Sequence, residues 1–252
     1  GGALSLEDLA AHASEWVEAI CCEYRGYRVW ECPPNGHGLA ALLALNLLKC
    51  CPLEEAPAGS PGRLHLLIEA MRLAFADAGR YVADPAFAAV PVQELLSPEY
   101  ARERAALIDP RRAMPAPAWG RPGAGGTRRA RGAGGTDTVY FCTVDEQGNA
   151  CSFINSNYMG FGTGIVPEGC GYSLQNRGYG FHLDAEHPNR LEPGKRPYHT
   201  IIPALATRAE GGELFAAFGV MGGMMQPQGH LQVFSALADD DLDPQAALDR
   251  GR

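Results

Sequence analysis

From Arg111 to Gly135 the chain is almost wholly Pro, Gly, Ala and Arg, with arginines at Arg111, Arg112, Arg121, Arg128, Arg129 and Arg131. Such a stretch cannot bury enough apolar surface to offset its ordering entropy, so it is expected to be mobile and to divide the chain in two. Composition alone favours an interdomain linker, with a processing segment as the sharper alternative. The first part reads mainly as helix. Ser5 with Asp8 forms a capping box that opens a helix over Leu6–Trp16. Two strands follow, Val17–Tyr24 and Tyr27–Glu31, before Pro33-Pro34-Asn35-Gly36 breaks the second. Helices are then expected over His37–Lys49, Leu64–Arg80 and Ser97–Leu107. The second part begins as sheet. Thr138–Val144 and Ala150–Asn155 flank a Glu146-Gln147-Gly148-Asn149 turn, and further strands are expected over Thr200–Thr207 and Glu213–Val220. Gly222-Gly223 precedes a helix over Pro227–Leu237, and Asp243-Pro244 opens another. Helices, then antiparallel strands, then helices make a layered α+β chain.

Composition excludes several functions. Over 252 residues, 21 Lys and Arg stand against 29 Asp and Glu, a formal charge of −8. That balance argues against nucleic acid as the main partner, because phosphate binding wants a basic face. At 46% hydrophobic the chain can bury a sizeable core. Its longest apolar run, Leu39–Leu48, is interrupted by Asn46 and is too short to cross a membrane. The opening residues lack a signal-peptide pattern, although a chain beginning with Gly says nothing of what precedes it. None of the eight cysteines forms a C-x-x-C pair, and two vicinal pairs, Cys21-Cys22 and Cys50-Cys51, suit no orderly disulfide framework. They are expected to be mostly small buried hydrophobes in a reducing, cytoplasmic setting.

Most candidate chemical motifs have a plainer reading. Gly160-Phe161-Gly162-Thr163-Gly164 lacks both the lysine and the spacing of a nucleotide loop. His182 and His187, with Asp184 and Glu186 between them, are the alternative for a metal-dependent hydrolase, although a solvated loop fits the pattern better. No G-x-S-x-G elbow is present. Cys142 and Cys151 lie mid-strand and are expected in the core rather than as nucleophiles. Thr138 differs through its setting, at a strand start directly after Asp137 and the Gly-rich tract. A cut before it would place an α-amine, with an ordinary pKa near 8, beside its own hydroxyl. One residue would then supply both nucleophile and general base, with no metal or cofactor required.

The surrounding segments resemble the γ-glutamyltransferases (γ-glutamyltranspeptidases). The resemblance is carried by Asp137-Thr138, Val144-Asp145-Glu146-Gln147-Gly148-Asn149-Ala150, Phe161-Gly162-Thr163-Gly164-Ile165-Val166, Pro193-Gly194-Lys195-Arg196-Pro197 and Gly222-Gly223. Trp30-Glu31-Cys32-Pro33-Pro34-Asn35-Gly36 is its landmark before the Gly-rich tract. It implies an N-terminal-nucleophile hydrolase fold of four layers, αββα. Residues 1–110 would end a large subunit, 111–137 would be the processing segment, and 138–252 would form the small-subunit region. Self-cleavage between Asp137 and Thr138 would yield a large/small-subunit heterodimer. Thr138 would then carry an acyl group from an amide, typically a γ-glutamyl compound such as glutathione, to water or an amine acceptor. Gly222 and Gly223 would form the oxyanion hole, and Ser156 falls where the family has a threonine assisting the nucleophile's amine.

The family's ligands for a glutamyl ammonium, an Asn, an Asp and a Gln, fall here on Tyr158, Gly180 and Arg177. Its two carboxylate-binding serines fall on His199 and Thr200. These departures, with Gln175-Asn176-Arg177-Gly178 and Tyr198-His199-Thr200, resemble the divergent branch that includes oxamate amidohydrolase. The alternatives are therefore an amidohydrolase of small carboxylated amides without transferase activity, or a non-catalytic, unprocessed member.

Overall fold

The run beginning at Leu39 is a helix buried on every side. In the computed structural model, which describes residues 4–122 and 137–251, α2 (Gly38–Leu48) has every residue buried. Ala and Leu favour helix intrinsically, and a helix apolar all round belongs inside a core. Asn46, its polar interruption, donates its carboxamide to Leu96 O at 3.0 Å. Around α2 pack α3 (Pro61–Tyr81), α5 (Pro98–Ala105) and α6 (Met225–Ala238). Ser60 caps α3 through the Arg63 amide at 3.2 Å, and Pro61 fills the first turn, so the helix starts three residues before the apolar periodicity does.

Strands β1 (Ile20–Tyr24), β2 (Tyr27–Glu31), β5 (Ala204–Arg208) and β6 (Leu214–Phe218) form one antiparallel sheet in the order β1-β2-β5-β6. Phe234 of α6 seals it against Tyr24, Tyr27 and Phe218 at ring separations of 6.3, 5.8 and 5.6 Å. β5 begins at Ala204 rather than Thr200, because Pro203 has no N–H to give a ladder. A second sheet is the hairpin of β3 (Asp137–Val144) and β4 (Ala150–Tyr158), which meets β6. Its turn is tied by Asp145, whose carboxylate accepts from the Gln147 and Asn149 amides at 3.0 and 2.8 Å. Among the described residues, the architecture is a mixed α/β arrangement of two small sheets and several helices. The short helices α1 (Leu6–Ala11), α4 (Val92–Leu95) and α7 (Pro244–Asp249) complete it.

Three expectations change. The first helix keeps its capping box but stops at Ala11: none of its residues is buried, and Trp16 is fully exposed. The tract after Arg111 is anchored at its start. Asp77 pairs with Arg104 through two 3.1 Å contacts and accepts the Gly120 amide at 2.6 Å, while Tyr81 donates to Gly120 O at 2.8 Å. Residues 123–136, where the rest of the expected mobile segment falls, lie outside the described residues. Among the cysteines, Cys22 and Cys51 are buried, Cys21 is half-buried and the other five are exposed, Cys142 and Cys151 included. The hairpin is covered only on the side of Tyr140, Ile154 and Ser156, and there only away from the turn, so Cys142 is exposed near the turn on that side and Cys151 on the open side.

Candidate active site

Thr138 is the second residue of β3, opposite Ser156 of β4, and their hydroxyls are bonded at 3.0 Å, Thr138 donating. The Tyr158 amide donates to the same Ser156 Oγ, also at 3.0 Å. The ladder slips between Asp137 and Thr138: Asp137 faces Tyr158 and Thr138 faces Ser156, so Asn157 is the extra residue. A bulge of this kind unpairs the backbone locally and re-aims side chains. Here it lies against the Asp137–Thr138 peptide bond. Tyr158, at φ +79°, turns the chain out of the sheet.

The next layer is a buried cation. Arg177 is 7% exposed, and its guanidinium donates to Ser156 O at 3.2 Å and Thr200 Oγ1 at 3.3 Å. It lies 5.5 Å from the Tyr158 ring centroid, and the Gln175 carboxamide accepts the Arg177 amide. Among the described residues no carboxylate reaches ion-pair distance of Arg177, and its Nε has no protein partner. Burial lowers the guanidinium to about 10, still cationic at neutral pH. Beside it His199 is pushed down to about 4, by burial first and Arg177 second, so it is neutral at pH 7. Its Nδ1 accepts the Ile201 amide at 3.1 Å, which puts the proton of the neutral ring on Nε2. Backbone bonds from His37 N to His199 O (3.0 Å) and from His199 N to Asn35 O (3.1 Å) lock this segment to the Pro-Pro-Asn-Gly turn. A Cβ on Gly36 would lie 2.9 Å from the His199 ring, so any other residue there would displace the imidazole.

Gly222 and Gly223 form the turn before α6, at φ +120° and +57°. Their carbonyls accept the Met225 and Gln226 amides, each at 3.0 Å. The turn is joined to the nucleophile strand by Tyr140, on the same face of β3 as Thr138, whose ring packs so closely on Gly219 that a Cβ would fall 2.2 Å away. Thr138, Ser156, Tyr158, Arg177 and Thr200 thus form one bonded network, with His199 at its edge. Gly222 and Gly223 follow Gly219, which packs on Tyr140 two residues along β3 from Thr138.

Other candidates resolve differently. The His182 and His187 rings stack 4.0 Å apart, but His187 Nδ1 accepts the Asn189 amide and its Nε2 donates to Gly79 O, both at 3.0 Å. Both His187 nitrogens are therefore occupied in pinning a loop to α3, and no group of three metal ligands occurs among the described residues. The Gly160–Gly164 loop pairs with Leu174 through the Thr163 amide at 2.8 Å, a structural crossing. Gly180 cannot carry a side chain without backbone movement, since a Cβ would lie 2.3 Å from Tyr198 O. Sequence reasoning missed Asn189, which donates to Gly180 O (2.6 Å) and accepts from Tyr198 N (2.9 Å), joining the end of the Arg177–Gly180 turn to the residue before His199. It also missed the Tyr140–Gly219 contact, and neither carries a local sequence signal.

The Gamma-glutamyltranspeptidase family model matches residues 1–252. The chain is 36% identical over its whole length to the glutathione hydrolase-like YwrD proenzyme of Bacillus subtilis, covering 45% of that protein. It is 34% identical to the oxamate amidohydrolase proenzyme of Klebsiella pneumoniae, again over the whole chain and 44% of the relative. The crystal structure of a cephalosporin acylase from Bacillus halodurans superposes with a TM-score of 0.88 at 49% identity, covering all of this chain and 43% of that one. The chain therefore spans less than half the length of the relatives it matches. A family match over every residue, and a shared fold at that identity, make this chain a member of the γ-glutamyltranspeptidase family of N-terminal-nucleophile hydrolases.

Proposed function

We propose that the protein containing this chain is an autoprocessing amide hydrolase and acyl transferase working through a Thr138 acyl-enzyme. Small carboxylated acyl groups are its donors in preference to γ-glutamyl compounds. The observation that carries the nucleophile is the 3.0 Å Thr138–Ser156 hydroxyl pair, set against a bulge at the Asp137–Thr138 bond. In processing, Thr138 Oγ1 attacks the Asp137 carbonyl carbon and the C–N bond breaks. The hydroxyl proton ends on the released α-amine, and water hydrolyses the ester to free the Asp137 carboxyl. In turnover that amine takes the hydroxyl proton as Oγ1 attacks the amide. Backbone N–H groups at Gly222–Gly223 receive the developing oxyanion, and the leaving amine departs with a proton from the Thr138 ammonium. Water or an amine acceptor then removes the acyl group.

Arg177 supports the carboxylate preference. A buried cation without an acid partner is costly, and a donor carboxylate supplies the missing charge in a charge-assisted bond. A donor ammonium would meet a like charge instead. The oxamate amidohydrolase and cephalosporin acylase relatives agree with that preference better than glutathione does. The test is the intact mass of the full-length protein. Wild type yields two fragments meeting at Thr138. Thr138→Ala stays one chain and loses at least about a thousandfold in kcat/KM. Activity of wild type persists through exhaustive chelation. Cleavage of Thr138→Ala at the same bond without a protease overturns the mechanism.

A further inference from the structure

The junction between β2 and α2 holds a buried acid that none of these roles uses. Glu31, the last residue of β2, is 1% exposed, and its Oε1 lies 2.7 Å from Nδ1 of His230 on α6, itself 1% exposed. Room for the carboxylate comes from Gly38, where a Cβ would sit 3.0 Å from Glu31 Oε2. Glu31 Oε2, His230 Nε2 and both carboxamide atoms of Gln226, one turn earlier on α6, have no protein partner among the described residues. A buried acid–imidazole contact with orphaned atoms around it is a poor adhesive, since apolar residues of equal volume hold a helix at least as well. Its position points to a different purpose.

The contact closes a ring. β2 pairs with β5 and β5 with β6. β6 runs through Gly219 into Gly222–Gly223, whose carbonyls hold the first amides of α6. α6 then brings His230 back to Glu31 at the end of β2. Within the ring Gly229 of α6 meets Val220 so tightly that a Cβ would lie 2.6 Å away. Sheet and helix are stiff, so a shift of α6 against β2 is absorbed at the joint between them, the two glycines at positive φ. We infer that Glu31 and His230 are a positioning pair. By fixing α6 to β2 they set the Gly222–Gly223 turn, and with it the aim of its N–H groups at the acyl oxygen on Thr138.

This inference rests on the Thr138 reading, and the experiment separates the two. In the full-length processed protein, active sites are titrated by the acyl-enzyme burst, and kcat per titrated site is measured for Glu31→Ala, Glu31→Asp and Glu31→Gln. Gln keeps an acceptor at the same reach, whereas Asp draws it back by one methylene. Glu31→Ala is expected to lose about tenfold to a hundredfold in kcat with KM within about twofold, because a misaimed oxyanion donor acts on the transition state alone. Glu31→Asp loses at least about fivefold, and Glu31→Gln stays within about threefold of wild type. A merely structural pair would lower the number of titratable sites and leave kcat per site unchanged. Should Glu31→Ala fail to fold, the Asp and Gln variants decide. Wild-type kcat per site in Glu31→Asp, or a loss confined to KM, overturns the positioning role. Wild-type turnover that survives covalent blocking of Thr138 sinks the nucleophile instead.

Discussion

Helix α2 and the β3–β4 hairpin are opposite solutions in one chain. Every residue of α2 is buried, with Leu39, Leu42 and Leu48 at 0% exposure. The hairpin leaves Val139, Phe141, Val144 and Phe153 at 45–56%, with Phe141 and Phe153 stacked 4.8 Å apart on the open side. Its inner side is joined by polar contacts: Thr138 to Ser156, Ser156 to Arg177, and Tyr140 to Ser152 at 2.9 Å. Stability is concentrated where nothing reacts, and the reacting groups stand on a thin element fixed by hydrogen bonds. Such contacts give geometry at little net free energy, about 0.5–1.5 kcal/mol each.

The strongest way to break that contrast is to cut into each region and read both stability and rate. Leu45, 1% exposed in α2, touches core on all sides. Leu45→Ala is expected to lose about 2–5 kcal/mol of folding free energy by denaturant titration, with kcat per titrated site unchanged. Ser156→Ala is expected to behave in reverse, costing no more than about 1 kcal/mol while lowering kcat at least about tenfold, since Thr138 loses the hydroxyl that orients it. Equal rate losses in the two variants would mean that core and site are a single cooperative unit.

Arg177 sharpens the comparison, because it brings a charge into the polar network without an acid among the described residues to meet it. Two donors are compared by kcat/KM, a γ-glutamyl amide and the same amide without its α-amino group. Wild type is expected to favour the deaminated donor by about tenfold to a hundredfold, and Arg177→Gln to erase most of that ratio. If the glutamyl donor wins on wild type and Arg177→Gln leaves the ratio alone, the cation serves only to hold Ser156 O and Thr200 Oγ1.

The same contrast governs what was readable in the sequence. α2, α3, the sheet strands and the hairpin follow from period and turn chemistry, because they are decided by neighbours in sequence. Thr138 stands out through its setting, a strand start directly after Asp137 and the Gly-rich tract, whereas Ser156 enters only through the family resemblance, because the strand expected over Ala150–Asn155 stops one residue short of it. Glu31 and His230 lie 199 residues apart, and nothing local to either marks the other as its partner. Cys151 was misplaced because a β-branched, aromatic strand reads as buried whether one side or both are covered, and Cys142, on the side of Tyr140, because the cover on that side runs out toward the turn. Composition likewise missed the anchoring of Gly120, since a Gly-Pro tract is held here by bonds to its backbone from Asp77 and Tyr81.

The smallest expected effect is one of pH, and it tests whether the site takes part in stability at all. His199 titrates near 4 in the folded protein, against about 6.5 when unfolded. Between those values the unfolded chain binds the extra proton, so stability rises with pH and is lost on acidification from about 6.5 toward 4. Between pH 7 and pH 5 that loss amounts to about 1–2 kcal/mol from His199 alone. His37 and His187, also held below their ordinary range by burial, act in the same direction. The His199→Asn side chain offers Oδ1 where the imidazole Nδ1 accepts the Ile201 amide, but cannot take up a proton. Denaturant midpoints measured from pH 7 to pH 5 should fall less steeply for this variant than for wild type, by roughly the His199 share. An unchanged slope would mean that the ring is reached by solvent before the chain unfolds, and that the segment from Tyr198 to Thr200 opens independently of the α2 core.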